Sequence, residues 1–191
     1  MTRPLIYSMG VSLDGYIAGP RGEIGWAAPD AELHRFHNEQ ARELDLHLLG
    51  RGLYEVMTYW ETAEERDPSA PEHELEFARI WKRLPKLVFS KSLDAVEGNT
   101  RLSHSDPVQE VRALKEQDGG PIAVGGAALA ASLSAQGVID EYRLFVSPVV
   151  LGGGKPFFAG DTQIDLELVE TRTFGSPAVY LRYRRTHCQN G

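Results

Sequence analysis

The chain of 191 residues has a single cysteine, Cys188, which excludes an intrachain disulfide framework and a multi-cysteine zinc site. This scarcity suits a reducing compartment, and a cytoplasmic location is the expectation. Long apolar runs are missing as well. The longest candidate, Ile122 to Leu133, contains a glycine pair and a serine, whereas a membrane helix needs roughly 18 uninterrupted apolar residues. Leu5 to Leu13 is apolar too, but Asp14 interrupts it and no basic leader or small-residue cleavage pattern surrounds it, so it reads as a strand and not as a signal. Positive charge is in short supply: 20 Lys and Arg against 27 Asp and Glu give a formal net charge of −7. Only Arg182, Arg184 and Arg185 cluster, and they read as a solvated strand end. The balance argues against a nucleic-acid partner or an anionic membrane surface. His34, His37 and His47 belong to no HExxH or comparable pattern, so packing or surface roles are expected for them, and no metal.

With 42% hydrophobic and 25% charged residues, what is present is the composition of an ordinary globular protein. No linker, repeat or low-complexity tract divides the chain, so residues 1–191 are expected to form a single domain. Pro4 to Ser12 is extended and apolar and runs into the turn residues Asp14-Gly15 and Gly19-Pro20-Arg21-Gly22. Asp30 is placed to cap a helix whose apolar positions are Leu33, Phe36, His37, Ala41 and Leu44. Leu46 to Leu49 reads as a short strand, Gly50-Arg51-Gly52 as a turn, and Leu53 to Trp60 as a brief helix. Residues 61–74, rich in Glu, Pro and Ser without apolar period, predict a surface excursion before a helix near Glu74 to Arg83.

Lys86 to Ser90 is a further strand, and Asp106-Pro107-Val108-Gln109 opens a helix with a capping aspartate and proline at the first helical position. Pro121 to Val124, Gly125-Gly126 and Ala127 to Gln136 give strand, turn and a small-residue helix stopped by Gly137. Ile139 to Val150, Leu166 to Phe174 and Ala178 to Arg185 are strand-like, with Gly175-Ser176-Pro177 between the last two. The pattern predicts an α/β fold: a central, mainly parallel sheet flanked by helices, with an antiparallel C-terminal hairpin.

Glycine turns that lead from strand to helix present free backbone N–H groups and a positive dipole end to an anion. Gly50-Arg51-Gly52 adds a guanidinium that could hold a phosphate bidentately, and Gly125-Gly126-Ala127 would let a pyrophosphate approach the backbone. Ser90-Lys91-Ser92 offers two hydroxyls and an ammonium. Each also has a plain reading, as a tight turn or a polar strand end, and neither glycine turn completes a dinucleotide or P-loop fingerprint. Gly152-Gly153-Gly154-Lys155 looks like an anion loop, but a structural turn is the expected role.

Taken in order, Ser8-Met9-Gly10-Val11-Ser12-Leu13-Asp14-Gly15-Tyr16-Ile17-Ala18, Leu49-Gly50-Arg51-Gly52-Leu53-Tyr54-Glu55, Val88-Phe89-Ser90-Lys91-Ser92-Leu93, Val124-Gly125-Gly126 and Ile139 through Gly152 resemble the dihydrofolate-reductase-like superfamily. The closer resemblance is to its branch related to the reductase domain of bifunctional riboflavin-biosynthesis proteins, over residues 3–186. It implies an NADPH site. Gly50 and Arg51 would lie beside the adenosine phosphate, Ser90, Lys91 and Ser92 would complete the grip on the 2′-phosphate, and Gly125, Gly126 and Ala127 would cradle the pyrophosphate. Leu53 occupies a position that often carries threonine in relatives, which removes one hydroxyl donor. The resemblance also implies that the loop containing Asp14 lies beside nicotinamide and substrate. Asp14 is therefore the catalytic candidate, with stabilisation of its own turn as the alternative. No proton-relay carboxylate is assignable among Glu32, Glu39 and Glu43.

Trp26 and Trp60 are candidate substrate-binding surfaces for a flat acceptor. The expected activity is NADPH-dependent hydride transfer to a small heteroaromatic, pteridine- or pyrimidine-like acceptor, as in dihydrofolate reductase or 5-amino-6-(5-phosphoribosylamino)uracil reductase. The alternative is a nucleotide-binding protein that keeps the fold without the chemistry. Relatives of this type imply a homodimer. With one cysteine and no CxxC, the sequence lacks the combined HxE…CxxC module of a zinc deaminase.

Overall fold

The computed structural model describes residues 2–160 and 163–186, so Cys188 lies outside the described residues. In chain order the first half comprises β1 (Leu5–Ser12), β2 (Tyr16–Ala18), α1 (Ala31–Arg42), β3 (Leu46–Gly50), α2 (Arg51–Met57), α3 (Tyr59–Arg66), α4 (Glu72–Arg83) and β4 (Lys86–Phe89). The second half comprises β5 (Thr100–Ser103), α5 (Pro107–Lys115), β6 (Ile122–Gly125), α6 (Ala127–Ala135), β7 (Glu141–Ser147), β8 (Lys155–Pro156), β9 (Leu166–Thr173) and β10 (Val179–Arg185). Eight strands form one sheet in the order β5-β4-β3-β6-β1-β7-β10-β9, and β2 pairs with β8 apart from it. The pairs from β5 across to β7 are parallel, and the C-terminal strands β10 and β9 add antiparallel.

Parallel strands covered on both faces are apolar throughout, and here β4 and β6 are buried at every position. One face carries α5 and α6, whose Val111, Leu129 and Leu133 pack with Leu5, Tyr7, Leu48, Leu87 and Val124. The opposite face carries α1 through α4. There Leu33 and Phe36 of α1 meet Phe145 and Tyr180, while Tyr54 and Trp81 meet Leu49 and Val88. Asp30 and Asp106 cap α1 and α5 by accepting from the backbone N–H groups of Leu33 and Gln109.

Several elements differ from the sequence-based expectation, each for a physical reason. The chain enters α2 at Arg51, directly from an extended Gly50, so Gly52 is a helical residue and not part of the turn. Residues 61–74 are mostly helical: α3 continues through Arg66 and α4 begins at Glu72. Its helical register hides from hydropathy because Ala63 is the one buried residue of α3. Charge pairs with α4 hold it instead, Arg79 to Glu64 at 2.9 Å and Lys82 to Glu65 at 3.3 Å. The edge strand β5 is too polar to read as a strand; pairing to β4 creates it. Arg182 is only partly solvated, because it donates to the buried Glu141 at 2.8 Å.

Candidate functional site

The helices leaving β3 and β6 go to opposite faces of the sheet, and such a switch opens a crevice at the carboxyl ends of the two strands. Gly50 and Gly126 line its neck. A Cβ on Gly126 would stand 3.4 Å from the Gly50 nitrogen, and Gly126 adopts a φ of 100°. A Cβ on Gly125 would overlap Cδ2 of Leu53. The two glycines therefore let the turn before α6 lie directly against the start of α2. No side chain caps the N-terminus of α6, which leaves its first backbone N–H groups to an anion.

The polar candidates converge on the same edge. Arg51 Nη1 donates to Ser92 Oγ at 3.1 Å, and Arg51 also lies 3.8 Å from Glu55. Ser90 folds its hydroxyl back to accept from the backbone N–H groups of Ser92 and Leu93, both at 3.1 Å. That arrangement shapes the turn and leaves Lys91 exposed beside Arg51 and Ser92. Arg51, Lys91, Ser92 and the amino end of α6 thus form a cationic, donor-rich cradle of the kind a dinucleotide's phosphates require.

Asp14 has a different environment. Its carboxylate accepts from Ser12 Oγ at 2.7 Å, from the Leu151 N–H at 3.1 Å and from the Gly152 N–H at 2.7 Å. The Ser12 hydroxyl, followed by these backbone donors, holds the carboxyl below its ordinary pKa. Asp14 thereby clamps the loop after β7 to the loop after β1. Gly154 completes that junction, because a Cβ there would overlap the Ala18 carbonyl oxygen. The glycine-rich loop is thus a structural turn.

Under α1 and α4 the sheet leaves a cavity of about 320 Å³, whose lining residue His47 has its Nε2 3.3 Å from where a Cβ on Gly125 would stand. Its floor is Ile6 and Ser8 of β1, His47 of β3, Ala123 and Val124 of β6, and Arg143 of β7. His34, His37 and Trp60 stand over it. Trp60 thus lines the cavity as anticipated. Trp26 does not, and its Nε1 donates to the Glu23 carbonyl at 3.1 Å. Glu32, Glu39 and Glu43 are also absent from the lining; Glu32 accepts from the Gly175 N–H at 2.8 Å.

The three histidines are what sequence reasoning missed. His37 reads from sequence as an apolar position of α1 and His34 as a packing or surface residue, and only the fold turns both toward the cavity. Burial pushes the His37 imidazole down to about 4, with nearby His34 adding to it. Burial, reinforced by the Lys86 ammonium, pushes His47 down to about 4 as well. His34 is lowered by burial and then by His73. All three are neutral at pH 7. Among the described residues no group of His, Cys, Asp and Glu could hold a metal ion.

The layered sheet, its crevice and the cavity beside it define a dihydrofolate-reductase-like α/β fold. The chain belongs to the RibD C-terminal domain family, whose model matches residues 3–180. It is 32% identical over 183 residues to the uncharacterized protein YyaP of Bacillus subtilis strain 168, covering 95% of this chain and 94% of that protein. Its fold matches a putative riboflavin biosynthesis protein from Shewanella sp. PV-4 with a TM-score of 0.75, at 20% identity over 98% of this chain and 100% of that one. Dihydrofolate reductase from Enterococcus faecalis, solved in complex with NADP(H) and RAB-propyl, matches with a TM-score of 0.62, at 18% identity over 98% and 100% of the two chains. No helix among the described residues is long and apolar enough to cross a membrane.

Proposed function

We propose that the protein is an NADPH-dependent reductase of a small heteroaromatic acceptor. The observation that carries this reading is the meeting of Arg51, Ser92 and Lys91 with the Gly125-Gly126 turn at the crevice, next to a largely apolar cavity. Arg51, Ser90, Lys91 and Ser92 would hold the adenosine 2′-phosphate, and the backbone of Gly125, Gly126 and Ala127 would hold the pyrophosphate. Bound there, the cofactor would supply a hydride to an acceptor carbon and leave oxidised, while the acceptor's heteroatom takes a proton from water. The cavity would seat the acceptor, and its neutral imidazoles would orient it. Asp14 acts by holding the flanking loop in place.

The test is a titration of the protein with NADPH and NADH, read by tryptophan fluorescence and checked by calorimetry. Saturable binding that favours NADPH is expected; absence of binding by both methods would end the reductase reading. The second reading, a nucleotide-binding protein without catalysis, is favoured by Leu53, which removes a phosphate donor from the cradle. It predicts NADPH binding with no oxidation by any pteridine, pyrimidine or flavin.

A further inference from the structure

A binding cavity shows what it excludes by the charges it can neutralise. Arg143 is the one permanently charged side chain lining this cavity among the described residues, and its charge is already spent. Its Nε donates to Glu141 at 2.6 Å and its Nη1 to Gln40 Oε1 at 2.9 Å. Glu141 in turn accepts from Arg182 at 2.8 Å, and Arg182 lies 3.8 Å from Glu170. Two arginines therefore face two glutamates, with no net cation left over. The remaining polar groups are neutral: the Ser8 hydroxyl, the Gln40 amide, the rings of His34, His37 and His47, and the indole N–H groups of Trp60 and Trp81. Phosphate or carboxylate brought into such a place loses its hydration without a counter-charge, at a cost of several kcal/mol.

The same groups are unsatisfied in a manner that suits a neutral ligand. His34 is buried, and its Nδ1 has no hydrogen-bond partner. Neither the Ser8 hydroxyl nor the His37 ring has a hydrogen-bond partner among the described residues. The His37 ring is braced from behind by Phe145, their centroids 4.1 Å apart and their planes tilted by 52°. A volume of about 320 Å³ is at the small end of ligand pockets, which run from about 300 to 1,000 Å³.

Building on the reductase reading, we infer that the acceptor is a compact, uncharged, planar heterocycle without a phosphate or carboxylate arm, held by hydrogen bonds to Ser8 and His37. Ser8 and His37 are its specificity residues. Arg143 positions the floor through Glu141 and Gln40 and offers no free charge.

The experiment is a set of binding titrations on the full chain saturated with NADP+, using three probes: lumazine, dihydrofolate and 5-amino-6-(5-phosphoribosylamino)uracil. Lumazine is expected to bind at least about tenfold more tightly than either charged probe. Ser8→Ala and His37→Leu should each weaken lumazine about tenfold while leaving NADPH affinity unchanged. Tighter binding of the phosphorylated or the carboxylated probe would overturn the inference and leave the reductase reading intact, because NADPH binding is measured separately. Unaltered lumazine affinity in both variants would overturn the assignment of the two residues. Should either variant fail to fold, the three-probe comparison on the natural chain still decides.

Discussion

Arg51 reaches from the start of α2 to the Ser92 hydroxyl at 3.1 Å, tying the loop after β3 to the loop after β4 at the carboxyl edge of the sheet. Its guanidinium is about half exposed and its one charge partner, Glu55, stands 3.8 Å away, so it is available to an incoming phosphate. Arg51→Ala is expected to weaken NADPH about ten- to hundredfold and NADH less than about threefold, measured by calorimetry. Equal losses for both cofactors would remove Arg51 from 2′-phosphate recognition.

Two adjacent glycines should respond very differently to the same change. Gly154 has a φ of 134° and faces the Ala18 carbonyl, whereas a Cβ on Gly153 would stand 3.9 Å from Pro20. Gly154→Ala should cost about 2 kcal/mol or more by urea unfolding, and Gly153→Ala less than about 0.5 kcal/mol. Similar values for the two variants would show that the β2–β8 junction yields easily.

Lys86 is a buried cation under α4. Its Nζ lies 3.3 Å from Glu61 and donates to the carbonyls of Trp81 and Leu84. Burial lowers its pKa, which the Glu61 carboxylate partly offsets. Glu61→Ala would leave that charge unpaired, so a loss of about 3 kcal/mol is expected. The double change Glu61→Leu with Lys86→Met should cost clearly less than the sum of the single changes, since it removes both charges together. Additive losses would mean that the pair contributes nothing as a pair.

Acid should destabilise the fold through its cavity histidines. His47 has a folded-state pKa near 4, against about 6.5 when unfolded. Between those values the unfolded chain binds more protons, so this contribution is complete above about pH 6.5 and is lost as the pH falls toward 4. From pH 7.5 to pH 5 the loss from His47 is about 2 kcal/mol. His37 follows the same direction. Urea unfolding across that range should show the slope, and His47→Asn should flatten it. An unchanged slope would mean that His47 is already hydrated.

Much of the fold could be read from the chain because local signals agreed with the global pattern. Asp30 and Asp106 cap the helices they were expected to cap, and the strand-glycine-helix order of 122–135 appears as β6, Gly126 and α6. Two classes of element escaped. The helix α3 has a single buried residue and depends on Arg79 and Lys82 from α4, partners distant in sequence. The strand β5 depends on its register against β4, which no window of Thr100–Ser103 contains.

For the site, the residues along the crevice could be named from sequence because glycine turns and strand-end hydroxyls carry their chemistry locally. Their convergence could not be, since it depends on β3 and β6 sending their helices to opposite faces. Asp14 illustrates the limit: its partners, the N–H groups of Leu151 and Gly152, lie 137 and 138 residues away in the chain, so no local window contains them. The histidines illustrate it from the other side. By itself the sequence determined the α/β order, the helix caps and the Gly125-Gly126 turn, all set by interactions within a few residues. Only the tertiary structure decided that His34, His37 and His47 are neutral cavity walls and that Arg143 is neutralised by Glu141, because burial and charge pairing are properties of neighbours that the chain brings together from far apart.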